Sequence, residues 1–303
     1  MNKNDILSKV IETLLIHDFS IMLSKGCFDV AAKRDISLLI KVLTNIDGLL
    51  KDHAISMKII AKFLSANPMI VSLHTNRDKL LSNVIYSRFD IPVVTPETFE
   101  TLLFEDSLPH IYSTKGKHLV EINAKKMRRR RIMLGMSMKQ LALKTGLSVK
   151  AIYEIESERV RPTLESAKAI EDVLGIDLIL PYRLETIKNV KPIKPRRTLE
   201  RYVFETFKKI GIETSALLSS QIDIIGKESE VLVTVVNEDS KKLGKRAISL
   251  KKFVDFFSSQ GLFIVEKSEV KSLRGLPIIE RKELSCLKDI NDFRNLLEER
   301  RNF

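Results

Sequence analysis

The amino-acid sequence predicts a multidomain chain, in which an all-α central domain lies between two α/β domains that are copies of one another. The 303 residues suffice for two or three domains. Two flanking segments repeat the same motifs in the same order, and the segment between them is helical in pattern and strongly basic. We expect domains at 1–118, 119–182 and 198–303, with a basic, Pro-containing linker at 183–197.

The first segment begins with an amphipathic helix, because Ile6, Val10, Ile11, Leu14 and Leu15 recur at helical spacing. β-rich runs follow, "SLLIKVL" in the first segment and "EVLVTVV" in the last. A further helix and another apolar run come next, an order that predicts a crossover connection and a partly parallel sheet. Both flanks are therefore predicted to be α/β domains.

Four motifs of the first segment recur in the last. "VIET" at residue 10 matches "VFET" at residue 203, and "FDVAAKRDISLLIKVL" matches "IDIIGKESEVLVTVV", which pairs Asp29 with Asp223. "AISMK" from Ala54 matches "AISLK" from Ala247, and "IPVV" matches "LPII" further along. Four matches in one order indicate a duplication.

The positive charge is concentrated in the middle of the chain. The net charge is +12, and residues 119–198 carry 18 Lys and Arg against 9 Asp and Glu. A basic domain between two nearly neutral ones predicts an anionic partner for the middle domain.

Two short helices with a tight turn are predicted in this basic segment. Ser137 is placed to cap a helix over 138–145, and Gly146 ends that helix. Ser148 then caps a helix over 149–156. This is the helix-turn-helix arrangement. Pro162 is expected to start a further helix.

The stretch "MRRRRIMLGMSMKQLALKTGLSVKAIYEIESERV" resembles the XRE/Cro-type, lambda-repressor-like DNA-binding domain of phage repressors and prokaryotic regulators. With the duplicated flanks, the whole chain resembles the archaeal HTH-type transcriptional regulatory proteins. The resemblance implies a sequence-specific transcriptional regulator that binds double-stranded DNA, with the helix from Ser148 to Glu156 in the major groove.

The resemblance also assigns the contacts to DNA. It implies that four side chains of the recognition helix face the bases: Val149, Lys150, Tyr153 and Glu154. Helical geometry and the same resemblance assign eight residues to the phosphates: Lys125, Arg128, Arg129, Lys139, Gln140, Ser148, Arg159 and Arg161. Two departures from the family pattern are Met138, where Gln is frequent, and Glu158, where Gly is frequent.

The run "KKMRRRR" at 125–131 is predicted to divide its charges between two roles. With Met127 and Leu134 as the buried stripe, Arg128 and Arg129 point away from the core. Arg131 aligns with an arginine that pairs, in phage repressors, with the glutamate at the end of the recognition helix. The resemblance therefore implies a structural ion pair between Arg131 and Glu156.

The flanks resemble the restriction-endonuclease-like fold in a degenerate form. That fold binds magnesium through a helix glutamate, a strand aspartate and an acid two residues before a lysine; Glu12, Asp29 and Lys41 occupy three of these places. Leu39 replaces the acid. The second copy keeps Glu205 and Asp223 but has Val233 and Val235 at the acid and lysine places. We therefore predict no catalytic residues, no metal and no cofactor.

Other expectations concern partners and location. The sequence has no apolar run near the ~18 residues of a membrane span, and Cys27 and Cys286 form no disulfide framework or metal cluster, so a cytoplasmic protein is expected. A homodimer on two half-sites is expected, and a small-molecule or protein effector on the flanks stays open. Two alternative functions also stay open: a DNA-processing nuclease that the helix-turn-helix targets, and an antitoxin or scaffold that binds a protein.

Overall fold

The structure is a computed structural model, and it describes residues 1–104, 111–114, 117–181, 184, 186–187, 189–239 and 243–301. By contact the chain divides into two compact units. One unit contains 1–10, 43–47 and 70–184, and the other contains 11–42, 48–69 and 185–303. The domain boundaries expected from the sequence remain predictions, and the boundary between 182 and 183 lies outside the described residues.

The first flank alternates helices and strands. Its elements are α1 (Lys3–Ile16), β1 (Ser20–Leu23), β2 (Val30–Lys33), β3 (Ser37–Val42), a 3-10 turn (Ile46–Gly48), α2 (Lys51–Leu64), β4 (Asn67–Val71), β5 (Tyr86–Arg88), β6 (Ile91–Val94), α3 (Pro96–Phe104) and the hairpin β7 (Ile111–Thr114) with β8 (Lys117–Val120). The middle of the chain contains α4 (Ala124–Met133), α5 (Met138–Thr145), α6 (Val149–Glu156) and α7 (Leu164–Leu174).

The last flank repeats the order of the first. Its elements are α8 (Thr198–Lys209), β9 (Glu213–Ala216), β10 (Ile224–Lys227), β11 (Val231–Asp239), α9 (Gly244–Phe257), β12 (Gln260–Lys267), β13 (Ser272–Leu273), β14 (Leu276–Glu280), α10 (Arg281–Ser285) and α11 (Ile290–Arg301). The two six-stranded sheets have the same strand order, β1-β2-β3-β4-β6-β5 and β9-β10-β11-β12-β14-β13. The predicted multidomain architecture, with a helical middle between two α/β copies, is confirmed.

Both sheets are mixed, as the predicted crossover requires. In the second sheet β9, β10 and β11 form an antiparallel meander, while β11, β12 and β14 run parallel. In the first sheet β1, β2 and β3 are antiparallel, and β4 and β6 are parallel. The first strand of each copy, β1 and β9, was not expected from the sequence.

The duplication extends to a shared loop geometry. The backbone N–H of Asp29 donates to the carbonyl of Ile40, and a carboxylate oxygen of Asp29 accepts from the N–H of Val42, both at 2.8 Å. In the second copy, Asp223 donates to the carbonyl of Thr234 at 3.0 Å and accepts from Val236 at 2.7 Å. Each aspartate therefore ties the start of one strand to the next strand at the same register.

Separate apolar cores hold the helical middle and the second flank. In the middle, Met127, Leu141, Ile152, Ile170 and Leu174 are among the residues that pack together. In the second flank, α8 packs Val203 and Phe207 against strand residues such as Ile264. Among the described residues, no helix combines the length and the apolar composition that a membrane crossing needs.

Candidate DNA-binding surface

Side-chain caps fix the two helices of the helix-turn-helix. The hydroxyl of Ser137 accepts from the N–H of Gln140, whose side chain accepts from the N–H of Ser137, so a capping box starts α5. Gly146 ends α5 in the left-handed conformation, with φ of 70°. The hydroxyl of Ser148 accepts from Ala151 N–H at 3.0 Å and starts α6. The bounds of both helices agree with those expected from the sequence.

The next helix begins later than the sequence suggested. Pro162 is not its first residue, because Thr163 is the N-cap and the helix begins at Leu164. The Thr163 hydroxyl accepts from the N–H of Ser166 at 3.1 Å. Pro162 instead precedes the N-cap, and its carbonyl accepts from the N–H of Val120 at 2.9 Å.

The recognition helix has one buried face and one open face. Ile152 and Ile155 are buried against α5, where Leu141 and Ala142 are buried in turn. On the opposite face Val149 and Tyr153 are 45% and 44% exposed, and the Lys150 side chain is 83% exposed. These exposed side chains are available to a ligand without any change in the fold.

The open face has only weak contacts within the protein. The ammonium of Lys150 lies 3.9 Å from the carboxylate of Glu154, one turn along α6. Exposed pairs of this kind contribute little to stability. The guanidinium of Arg159 lies 5.4 Å from the ring centre of Tyr153, a cation–π distance. The four residues expected to face bases therefore lie together near Arg159 on one solvent-facing surface.

The turn that follows α6 shows why glycine is frequent at the place of Glu158. This residue is left-handed, with φ of 59°, which is a conformation that favours glycine. The N–H of Arg159 donates to the carbonyl of Glu154 at 2.9 Å and closes the turn. Further on, Arg161 lies 3.6 Å from the carboxylate of Glu121, with its side chain half exposed.

The other residues expected at phosphates differ in their surroundings. Lys139 is exposed on the first turn of α5. Gln140 is also exposed, but its carbonyl oxygen already accepts from Ser137. Ser148 uses its hydroxyl as the cap of α6, so its role in the fold is established independently of DNA.

The basic run 125–131 separates on α4 into three groups. The first group is buried: Met127 is 0% exposed, and Arg131 is 7% exposed. Arg131 donates from Nε and Nη2 to the two carboxylate oxygens of Glu156, at 2.6 and 2.9 Å, and from Nη1 to the carbonyl of Met136 at 2.7 Å. The bond to Glu156 raises the pKa of Arg131 above its ordinary value.

The second group contacts the end of α7 and the segment just after it, a feature that sequence reasoning missed. The ammonium of Lys126 donates to the carbonyl of Asp177 at 2.8 Å, and Arg130 Nε donates to the carbonyl of Leu174 at 3.0 Å. Cations at a helix C-terminus satisfy its last carbonyls and interact favourably with the helix dipole. The sequence signal that could have found this contact is Gly175, a glycine that ends α7 as its left-handed C-cap.

The third group consists of Lys125, Arg128 and Arg129, all exposed. Within the described part of the chain, none of these three side chains has a hydrogen-bond or ion-pair partner. The expectation that Leu134 would be buried beside Met127 is wrong, because Leu134 is 41% exposed. The helix ends at Met133, and Gly135 then turns the chain with φ of 65°, so Leu134 does not continue the helical face.

In the first flank, Lys41 contacts Asp29, which stands at the place of the metal-binding aspartate of the nuclease fold. The ammonium of Lys41 donates to the carbonyl of Gly26 at 2.7 Å and lies 3.4 Å from the carboxylate of Asp29. Leu39 is 0% exposed, and Glu12 lies on the exposed face of α1. The Asp29 carboxylate is therefore already bound by a backbone N–H and a cation.

The second copy neutralises its aspartate with a different cation. Val235 stands at the place of Lys41, and Arg246 from α9 donates to the Asp223 carboxylate at 2.6 Å. Burial raises the pKa of Asp223. Burial, followed by the nearby charge of Asp223, also raises the pKa of Glu200, which is 8% exposed on α8. Among the described residues, no group of three His, Cys, Asp or Glu side chains could hold a metal.

Two family models match separate parts of the chain. Residues 3–109 match the family model described as a PD-(D/E)XK superfamily domain, and residues 127–180 match the helix-turn-helix model. Relatives that carry the name "Putative HTH-type transcriptional regulatory protein" come from archaea.

Three of these relatives are similar to this chain over most of their length. The one from Thermococcus kodakarensis is 32% identical over 91% of this chain and 88% of its own, and that from Methanocaldococcus jannaschii is 30% identical over 94% and 93%. The one from Thermococcus gammatolerans is 29% identical over 97% and 95%. On this evidence the chain belongs to the family of archaeal HTH-type transcriptional regulatory proteins.

Proposed function

We propose that this protein is a transcriptional regulator that binds specific sequences of double-stranded DNA with α6 in the major groove. The observation that carries the proposal is the open face of α6, where Val149, Lys150 and Tyr153 are exposed on a helix that is capped and buried on its other side. The names of the relatives and the helix-turn-helix match support a DNA-binding regulator.

The chemistry of the exposed side chains suits base recognition. A lysine can donate to the O6 and N7 atoms of guanine, and an apolar side chain can contact a thymine methyl group. Lys150 and Val149 are proposed for these two roles. Glu154 can accept from the amino group of cytosine, and the Tyr153 ring lies 5.4 Å from the guanidinium of Arg159.

Phosphate contacts are proposed for exposed cations of the helical middle. Lys125, Arg128 and Arg129 are exposed on α4, and Lys139 is exposed on α5. Arg159 and Arg161 follow the recognition helix. Neutralisation of phosphates supplies most non-specific affinity for DNA, so this charge is expected to set the strength of binding rather than its sequence preference.

Selection of bound duplexes from random DNA tests the proposal. Since one helix-turn-helix reads only a few base pairs, a homodimer on two half-sites about 34–36 Å apart is expected. The selected sequences should therefore converge on an inverted repeat with that spacing. Retention of duplexes without any shared sequence would contradict specific recognition, and a single half-site would contradict the dimer.

A DNA-processing nuclease is a second candidate, because residues 3–109 match the PD-(D/E)XK superfamily model. Two observations support a scaffold without chemistry instead. The place of the metal-binding acid is the buried Leu39, and the Asp29 carboxylate already accepts from the Val42 N–H and lies near Lys41. We therefore propose that the chain is not an enzyme. Magnesium-dependent cleavage of plasmid DNA that is lost in Asp29→Ala would overturn this proposal.

A further inference from the structure

We propose that a cavity between the β1–β2 loop and α9 binds an anionic amphipathic small molecule. The cavity has a volume of about 390 Å³, which lies in the usual range of small-molecule sites. Its wall includes the cations Lys25, Lys245 and Lys252, and its apolar part includes Phe28, Ile222 and Phe253. No acidic residue lines it within the described part of the chain.

The cavity occurs where the duplicated architecture departs from symmetry. Ser56 on α2 is 0% exposed, and its hydroxyl accepts from the backbone N–H groups of Leu218 and Ser219, at 2.9 and 3.3 Å. That contact closes α2 against the loop after β9. Ser249 on α9 is the counterpart of Ser56, since "AISMK" and "AISLK" align. Ser249 lines the open cavity instead of closing a contact.

Two differences between the copies account for the positive charge that α9 brings to the cavity. The place of Asp52 on α2 is taken on α9 by Lys245, and the place of Ile59, which is 1% exposed, is taken by Lys252. One helix thus has an acid and a buried apolar residue where the other has two lysines at a cavity. The two lysines on α9 suit an anion, whereas on α2 Ile59 is buried and Asp52 lies 3.7 Å from Arg196.

The lysines lack other partners that would explain them. The side chains of Lys25, Lys245 and Lys252 make no hydrogen bond or ion pair with any other described residue. Lys245 also lies in the first turn of α9, which has no acidic residue. A cation there is unfavourable beside the positive end of the helix dipole. An anionic group in the cavity would interact favourably with both the Lys245 ammonium and this end of the dipole.

The neighbouring apolar surface indicates the rest of the ligand. Ile248 is 42% exposed and Leu23 is 56% exposed, and both line the same cavity. Exposed aliphatic side chains beside unpaired lysines fit a molecule with an apolar body and an anionic head group. A carboxylate and a phosphate monoester share this chemistry.

The test is calorimetric titration of the full chain with four probes below their micelle concentrations: decanoate, decyl phosphate, acetate and decyltrimethylammonium. The proposal predicts saturable binding of at least one of the two anionic amphiphiles, and their relative affinity identifies the head group. Acetate and decyltrimethylammonium should bind at least about tenfold more weakly, a difference of about 1.4 kcal/mol.

Matched variants locate the binding. The double variant Lys245→Gln/Lys252→Gln should weaken binding of the anionic probe by about tenfold or more. Lys251→Gln removes a charge from the same helix, but Lys251 pairs with Asp255 at 2.9 Å and does not line the cavity; its affinity should equal that of the wild type. Equal affinity for the cationic and anionic amphiphiles, no binding of either anion, or unchanged binding by the double variant would overturn the proposal.

Discussion

Arg131 of α4 and Glu156 at the end of α6 form a bidentate ion pair, with nitrogen–oxygen distances of 2.6 and 2.9 Å. The two side chains are only 8% and 2% exposed. A planar guanidinium matches a carboxylate in this geometry, which lysine cannot reproduce. The pair therefore joins the first helix of the domain to the end of the recognition helix.

Loss of Arg131 should destabilise the helical middle strongly. Arg131→Met leaves the Glu156 carboxylate buried without its partner, which costs about 3–5 kcal/mol. Hydrogen exchange of peptides from α4 and α6 measures this local loss. The double variant Arg131→Met/Glu156→Leu should recover a large part of the stability, because it buries no unpaired charge. A double variant no more stable than Arg131→Met would contradict the assignment of the cost to the unpaired carboxylate.

The salt dependence of DNA binding should distinguish neighbouring cations of the run 125–131. The plot of log K against log salt has a negative slope. Arg129→Ala should make this slope less steep by about one unit, because one phosphate contact is lost. Lys125→Ala should act in the same way. Fluorescence anisotropy with a labelled duplex at several salt concentrations measures the slope.

The same run supplies the matched controls. Lys126→Ala and Arg130→Ala remove equal charge, but Arg130 donates to the last residue of α7 and Lys126 donates to Asp177 just after that helix. Both variants should keep the wild-type slope and instead increase hydrogen exchange in α7. An equal decrease in the steepness of the slope for all four variants would show that the run is not divided into DNA-contacting and structural cations.

A lysine at the place of Lys41 should be able to replace Arg246 as the partner of Asp223 in the second copy. Arg246→Met should destabilise the second flank by about 1–3 kcal/mol, because the Asp223 carboxylate loses its charged partner. Val235→Lys in that background should restore part of the loss, since Val235 stands at the place of Lys41. Denaturation with urea, followed by exchange in β10 and β11, measures both changes.

A control and a contradictory outcome complete this experiment. Lys251→Met removes an exposed cation from the same helix, and its pair with Asp255 is 43% and 58% exposed, so the change should be below about 1 kcal/mol. If Val235→Lys lowered the stability of Arg246→Met further, the two cation places would not be equivalent.

Glu200 should make the stability of the second flank depend on pH. Burial and the charge of Asp223 raise its pKa above the ordinary value of 4.5. The folded state therefore binds the proton more tightly than the unfolded state, and this contribution to stability is lost as pH rises from about 4.5 through the raised pKa.

Glu200→Gln should remove that dependence. The variant should be more stable than the wild type at pH 7, and the difference should shrink as the pH falls towards 4.5. Hydrogen exchange of α8 peptides, corrected for the intrinsic rate at each pH, gives the comparison. Glu205→Gln, on the exposed face of α8, is the control. A stability difference that grows towards low pH would contradict the direction of the shift.

Local signals predicted much of the helical middle from the sequence. Ser137, Gly146 and Ser148 determine where α5 and α6 begin and end through contacts with residues at most three or four positions away. The repeats predicted the two α/β copies for a similar reason, because each motif keeps its order and spacing. Caps and repeated motifs are both determined by residues that lie close together in the sequence.

Other features depend on contacts between distant residues. Arg246 replaces Lys41 from a helix rather than a strand, and no local pattern indicates that exchange. Lys126 and Arg130 contact the end of α7 only because the helices pack as they do. The strand β1 was missed because its residues are exposed or half-buried and show no alternation of apolar and polar side chains.

The proposed base contacts of α6 are tested most directly by a comparison of the DNA sequences that the wild type and Lys150→Ala select. Lys168→Ala, an exposed lysine on α7 outside the proposed contacts, is the control for loss of one charge. The proposal predicts that Lys150→Ala relaxes the preference at one position of each half-site, with a loss of about 1–3 kcal/mol of discrimination, while Lys168→Ala keeps the wild-type consensus. An unchanged consensus for Lys150→Ala would contradict the assignment of α6 as the recognition helix.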